Sequence, residues 1–245
     1  MKGTKINYLL DNAPLKRLLH QEVAVDKIEE DATLLAAAEE VNGRTPGVLA
    51  ALCHARGLVF VHYSSDYVFA GDNEQGYAED APVAPLNAYG KTKALGEASV
   101  TAAGGEYYII RLSNMFGRAA ASEGAKKSFV DTMLGLAAGG KTEFDVVDDE
   151  LSSPTYAPDL ASLTRVIVET RPAPGIYHGA NSGACTWYAW AQEVFALKNV
   201  AVTVRAVPAT AYPRPAARPH ASALLSTKLP AQRSWQEALR EYLAE

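Results

Sequence analysis

From residue 23 to residue 205 the chain alternates helix-like and strand-like segments, and this alternation restricts the fold more than any other feature. Consecutive strands separated by helices must lie parallel in a sheet that the helices flank. Ala32 to Ala55 reads as helix, because Leu34, Leu35, Ala38, Val41, Val48, Leu49 and Leu52 recur at helical spacing. Gly43 to Pro46 interrupts that pattern and predicts a kink or two pieces, and Gly57 is placed to close the helix. Leu58-Val59-Phe60-Val61 follows at once, and a short run apolar on both faces suits a buried parallel strand. His62, Ser64, Ser65 and Asp66 come directly after it. In open α/β sheets, functional groups collect at such carboxyl ends of strands.

The pattern continues with a helix over Asn87 to Ala102, a strand over Tyr107 to Leu112, a helix over Lys127 to Ala138 and a strand over Phe144 to Val147. It goes on with a helix over Pro158 to Glu169, a strand over Gly175 to His178, a helix over Thr186 to Leu197 and an edge strand over Val200 to Val207. Ala70 to Leu86 and Tyr212 to Pro219 read as loops. Ser234 with Glu237 three residues on is a capping box for a last helix reaching Leu243. There is no internal repeat.

Composition narrows the function classes. The chain has 245 residues, 48% of them hydrophobic and 21% charged, which is an ordinary globular balance for one large domain or two interleaved lobes. Lys and Arg number 23 against 28 Asp and Glu, a net charge of −5, with no basic run. That argues against nucleic acid or an anionic membrane as partner. No apolar run approaches the ~18 residues of a membrane-spanning helix. Asp11 interrupts the first apolar stretch, so it does not read as a secretory signal. Cys53 and Cys185 lie far apart in helical segments, which excludes a disulfide scaffold and a paired-cysteine metal site. Both read as small core residues in a reducing, cytoplasmic compartment. His54, His62 and His178 lack ligand spacing, so no metal site is expected.

The stretch from Val61 to Glu97 carries the chemistry. Tyr89 and Lys93 stand four apart, which on a helix puts both on one face, a turn apart. An ammonium beside a phenol stabilises the phenolate, so the Tyr can give a proton to a developing alkoxide. The same ammonium can hold a ribose hydroxyl. A hydroxyl from the preceding strand end, Ser65 or Ser64, can bond the same substrate oxygen. These are the parts for carbonyl reduction with hydride from a nicotinamide.

Ser64-Ser65-Asp66-Tyr67-Val68-Phe69 and Pro85-Leu86-Asn87-Ala88-Tyr89-Gly90-Lys91-Thr92-Lys93 are joined by further matches in chain order. These are Ala24-Val25-Asp26-Lys27, Val41-Asn42-Gly43, Arg111 to Gly117, Phe129 to Leu134, Gly175-Ile176-Tyr177-His178, Thr186-Trp187-Tyr188 and Tyr212 to Pro219. Over roughly residues 23 to 228 the sequence resembles the dTDP-4-dehydrorhamnose reductase family of extended short-chain dehydrogenase/reductases. The resemblance implies an α/β, Rossmann-like parallel sheet with flanking helices and a small C-terminal substrate-binding lobe. It divides the chain into a non-matching segment 1–22, the remainder of a dinucleotide-binding domain at 23–118, and the last sheet strands interleaved with the substrate lobe at 119–245. The implied reaction is reduction of dTDP-4-dehydrorhamnose to dTDP-L-rhamnose by NADPH or NADH. Tyr89 would be the general acid, Lys93 its ribose-holding partner, and Ser65, where the family usually has Thr, would orient the keto oxygen. Tyr89 and Lys93 would also meet the cofactor. Ser64, Ser65, Val25 and Asn114 would line the sugar-nucleotide site. The family admits Mg2+, for which no ligands map onto this sequence.

Two features depart from the family. The Gly-rich turn that receives a dinucleotide's pyrophosphate has no counterpart, and about 40 residues of the first two β/α units are unmatched. Asn114 stands where the family has a stacking Trp. An uncovered sheet edge would call for a homodimer or a covering partner subunit. The alternatives to a reductase are therefore a non-catalytic binding subunit on the same fold or a truncated, inactive homologue. Arg214 and Arg218 can serve a diphosphate or be ion-paired, Asp26 and Lys27 read as salt-bridged surface residues, and Trp187 and Trp190 read as packing residues.

Overall fold

The computed structural model describes residues 25–118 and 127–244; the segment 1–22 and Lys126 lie outside the described residues. Helix α1 (Val25–Glu30) leads into α2 (Ala32–Ala38), which Asp31 caps by accepting the N–H groups of Thr33 and Leu34. The interruption expected at Gly43 to Pro46 takes the form of π-helical turns that separate two α-helical pieces. The chain passes from α2 through π-helical turns at Glu39–Arg44 straight into α3 (Thr45–His54). In a regular helix Pro46 would clash with the carbonyl four residues back, and wider turns relieve that without ending the helix. Gly57 does stop it. With φ at +62°, it allows Leu58 N–H to bond Cys53 O at 2.9 Å and Gly57 N–H to bond His54 O at 3.0 Å, a Schellman closure. Cys53 is half-buried on α3 rather than a core residue.

Strand β1 (Phe60–Ser65) starts two residues later than the apolar run and extends through both serines, since Leu58 is spent on the helix-ending turn. Helix α4 (Ala88–Ala103) follows the long loop, then β2 (Tyr107–Leu112), β3 (Met115–Phe116), α5 (Phe129–Ala138) and β4 (Glu143–Val147). After these come β5 (Leu151–Ser152), β6 (Thr155–Tyr156), α6 (Ala157–Thr170), β7 (Gly175–His178) and β8 (Cys185–Thr186). The chain closes with α7 (Trp187–Leu197), β9 (Thr203–Val207) and α8 (Trp235–Ala244). Cys185 is thus a strand residue, buried just before α7.

The main sheet has the order β1-β2-β7, all parallel. Tyr108, Ile109 and Ile110 are fully buried, as a parallel strand covered on both faces requires. Ile109 packs with Ala50 and Val100 on the α3/α4 side, and Tyr108 and Ile110 pack with Leu160 and Ile167 of α6 on the other. Among the described residues, β1 is hydrogen-bonded to β2 alone. A second parallel pair, β4 with β9, shares a core of Phe144, Val146, Ala191 and Phe195. Phe116, Trp190, Val194, Trp235 and Leu239 continue that core, so Trp190 is the packing residue expected. The segment from Ala221 to Leu224 bridges to Asp72, Leu151 and Tyr77, tying the loop after β1 to β5.

Helix α4 approaches α3 closely because glycines line the contact. A Cβ on Gly96 would stand 2.1 Å from Asn42 O, and one on Gly47 would stand 2.7 Å from Ser99 Cβ. Backbone oxygen cannot yield as a side-chain tip can. Gly96→Ala is therefore expected to lower stability by about 1–3 kcal/mol despite the better helix propensity of Ala, read as a lower urea midpoint at unchanged slope. A stabilised variant would show that the helices can part freely.

Candidate functional site

The site grows from the end of β1. Ser64 and Ser65 are both buried there, and the Ser64 hydroxyl has no hydrogen-bond partner. Ser65 Oγ accepts the Tyr67 N–H at 3.2 Å and so caps a short 3-10 turn over Asp66–Val68. It also lies 3.0 Å from Asp66 Oδ1. Asp66 is 3% exposed, and its other oxygen accepts the hydroxyls of Ser113 at 2.8 Å and Ser222 at 2.6 Å. Burial pushes the Asp66 acid above the usual carboxylate range, against the three hydroxyl bonds. Burial likewise raises the Tyr67 phenol.

Helix α4 delivers the next two residues. Asn87, read as its first helical residue, is instead its N-cap, accepting the Gly90 N–H at 2.8 Å. Ala88 N–H bonds Glu29 Oε2 of α1 at 2.7 Å, and Asn87 Nδ2 bonds Ala217 O at 2.7 Å. The start of α4 is thereby clamped between α1 and the 212–219 loop. Tyr89 meets Tyr67 edge to face, with ring centroids 5.8 Å apart. Lys93, one turn on, is 9% exposed and donates from Nζ to Tyr63 O of β1 at 2.7 Å. Burial draws its pKa down to about 8, with Glu97 opposing. His62 is drawn down to about 3 by burial and by the Lys93 charge, so it is neutral.

Beneath Lys93 sits a buried ion pair. Arg111 of β2 grips Glu97 of α4 through two parallel bonds, Nε to Oε1 at 2.8 Å and Nη2 to Oε2 at 2.7 Å. Its third contact is Glu79 O at 3.2 Å, and its guanidinium lies 4.8 Å from the centroid of the Phe69 ring. In the 212–219 loop, Arg214 pairs with Glu150, which also accepts the Trp187 indole N–H at 3.2 Å. Arg218 pairs with Asp26 at 2.9 Å. Asp26 sits below the usual carboxylate range: its burial works the other way, but the Arg218 and Ala216 bonds outweigh it. Of the two roles open to these arginines, ion pairing is the one observed. Lys27 is exposed, without the place in this network that Asp26 has.

Lys93 thus meets β1 at the carbonyl just before Ser64, and Tyr89 meets the ring two residues beyond Ser65. Asn114 stands at the end of β2 with φ at +36°, its Nδ2 on Ser152 Oγ at 2.6 Å, next to Ser113 of the Asp66 cluster. Val25 opens α1, the helix whose Asp26 and Glu29 clamp the loop and α4. Asp66 is named from the sequence only among the polar residues after the strand, with no role of its own, and Glu97, Arg111 and Glu150 are given none either. A lone Arg in the apolar run YYIIRL was a usable signal, since a buried charge demands a partner. His178 is a core residue whose Nδ1 lies 3.0 Å from Leu225 O, and burial pulls its pKa down to about 4. Among the described residues no group of three His, Cys, Asp or Glu is placed to hold a metal, and no helix is long and apolar enough to cross a membrane.

Parallel strands covered by helices on both faces, with polar groups gathered at one strand end, define a Rossmann-like α/β protein. A family model described as the RmlD substrate binding domain matches residues 17–245, and the chain belongs to that family. It is 40% identical over 225 residues to a probable dTDP-4,6-dihydroxy-2-methyloxan-3-one 4-ketoreductase of Streptomyces antibioticus, covering 89% of this chain and 73% of that one. It is 39% identical over 193 residues to the spore coat polysaccharide biosynthesis protein SpsK of Bacillus subtilis, covering 77% of this chain and 65% of that one. A crystal structure of dTDP-4-dehydrorhamnose reductase from Bacillus anthracis in complex with NADP superposes with a TM-score of 0.83 at 31% identity, over 91% of this chain and 77% of the other.

Proposed function

We propose that this chain carries the reductive site for a dTDP-4-keto-6-deoxy sugar, turning dTDP-4-dehydrorhamnose into dTDP-L-rhamnose. The observation that carries this reading is Lys93, an ammonium buried against a strand carbonyl one turn from Tyr89 and next to the serine pair. When bound, a reduced nicotinamide supplies hydride to C4 of the sugar. The residues fit its nicotinamide-ribose end: Lys93 keeps two ammonium protons beyond the one on Tyr63 O, and Ser64 keeps a buried hydroxyl without a partner. A Gly-rich pyrophosphate turn does not occur in the sequence. Tyr89 gives its phenolic proton to the alkoxide forming on the C4 oxygen, and the Lys93 charge stabilises the phenolate left behind. Ser65 holds the same oxygen by a hydrogen bond. Residues 23–118 serve the cofactor side and 119–245 supply the sugar-nucleotide lobe, in a cytoplasmic protein.

A second reading is a non-catalytic sugar-nucleotide-binding subunit within a larger assembly. Val48, Leu49, Leu52 and Leu58 favour it, since all four are 40–58% exposed around α3.

One experiment separates the two. The purified chain is titrated with NADPH, NADH and dTDP, then assayed with the keto sugar nucleotide. Nicotinamide binding with turnover supports the reductase. The rate should then fall as pH rises through about 8, where Lys93 loses its proton. Binding of dTDP with no response to either nicotinamide supports the subunit instead.

A further inference from the structure

Ser65 has one proton to give, and the geometry around it determines where that proton can go. Its oxygen already accepts the Tyr67 N–H at 3.2 Å and lies 3.0 Å from Asp66 Oδ1. If Asp66 were a carboxylate, the bond between them would need the Ser65 proton, and Ser65 would have none for a substrate carbonyl. Asp66 has an alternative. Ser113 and Ser222 both donate to Oδ2, at 2.8 and 2.6 Å, which makes that oxygen the natural carbonyl of an acid and leaves Oδ1 as the hydroxyl. The group is 3% exposed, and its side-chain hydrogen-bond partners are neutral hydroxyls. Among the described residues no Lys, Arg or His forms an ion pair with it. Tyr67, on the same turn, is a neutral phenol.

We propose that Asp66 is a positioning residue held as a neutral carboxylic acid, which donates to Ser65 Oγ and so frees the Ser65 proton for the substrate's carbonyl oxygen. Every hydrogen bond in the cluster is then satisfied once: Asp66 gives one and accepts two, while Ser65 accepts two and keeps one to give. Burying a neutral acid also avoids the cost of an isolated buried carboxylate. Burial, which pushes the acid above the usual carboxylate range, agrees with this assignment. The role given to Ser65 rests on the reductive reading above; the protonation of Asp66 does not.

The first test needs no turnover. An infrared difference spectrum of the wild-type chain against Asp66→Asn at neutral pH should contain the carbonyl stretch of a protonated carboxylic acid, and Ser65→Ala should shift that band. Should Asp66→Asn fail to fold, selective carbon-13 labelling of aspartate identifies the band in the wild-type chain. A spectrum with carboxylate bands alone, or a band that Ser65→Ala leaves unmoved, overturns the proposal. The second test is kinetic. Asp66→Ala should lower kcat by about tenfold or more with KM little changed, and Asp66→Asn should restore most of that loss, because its amide donates to Ser65 and accepts from Ser113 and Ser222. Equal damage from both variants, with both folded, overturns the donor role. A chain with no turnover removes the reductive reading, and the infrared result still decides whether Asp66 is the donor to Ser65.

Discussion

Replacing Arg111 by Met is expected to cost the fold about 3–5 kcal/mol, because it removes both charged hydrogen bonds from the buried Glu97 carboxylate and leaves it only the unbonded Lys93 charge one turn away. Both members of the pair are almost wholly inaccessible, Arg111 at 1% and Glu97 at 4%. The carboxylate has no route to water, and the Glu79 carbonyl and the face of Phe69 lose their contact at the same time. The double variant Arg111→Met, Glu97→Leu should recover most of the loss, since a well-packed apolar pair avoids the desolvation cost that the ion pair carries. Urea unfolding of the two single variants and the double variant gives the coupling directly. A loss below about 1 kcal/mol for Arg111→Met would mean that the site admits water and that the pair is not buried in solution.

The largest functional effect is expected at Tyr89. Tyr89→Phe should reduce kcat for the keto sugar nucleotide by about 10²- to 10⁴-fold, the usual contribution of a positioned proton donor. Its ring should stay against Tyr67 and in the Ile28 and Leu35 cluster, so thermal stability and dTDP affinity should hardly change. Unchanged turnover in Tyr89→Phe would place the proton donor elsewhere. A parallel loss of folding would instead assign the hydroxyl a structural role.

The strand–helix alternation was legible because its signals are local. An apolar run buried on both faces, a Gly that ends a helix and a Ser with Glu three residues on each act within one or two turns. Gly57 and the Ser234–Glu237 box accordingly appear where the pattern places them. The irregularity near Pro46 is legible as an interruption, but its π-helical form is not, because no local pattern marks a π-helical turn. Asn87 caps α4 through a local bond to Gly90 that its residue type allows, whereas its bond to Ala217, 130 residues away, has no local signal.

The candidate site divides the same way. Tyr89 and Lys93 could be paired from the sequence because helical geometry alone puts positions four apart on one face. The residues that govern them could not. Asp66 is defined by Ser113 and Ser222, which are 47 and 156 positions away, and Lys93 by a strand carbonyl 30 positions earlier. The sequence by itself determined the parallel, helix-flanked sheet and the placing of Tyr89 and Lys93 a turn apart on one helix, because periodicity, caps and residue chemistry are encoded over short spans. Only the tertiary structure decided which charges are buried, which are paired and which hydroxyls point at one another. Those outcomes depend on the loss of solvent around groups that meet only when distant segments pack.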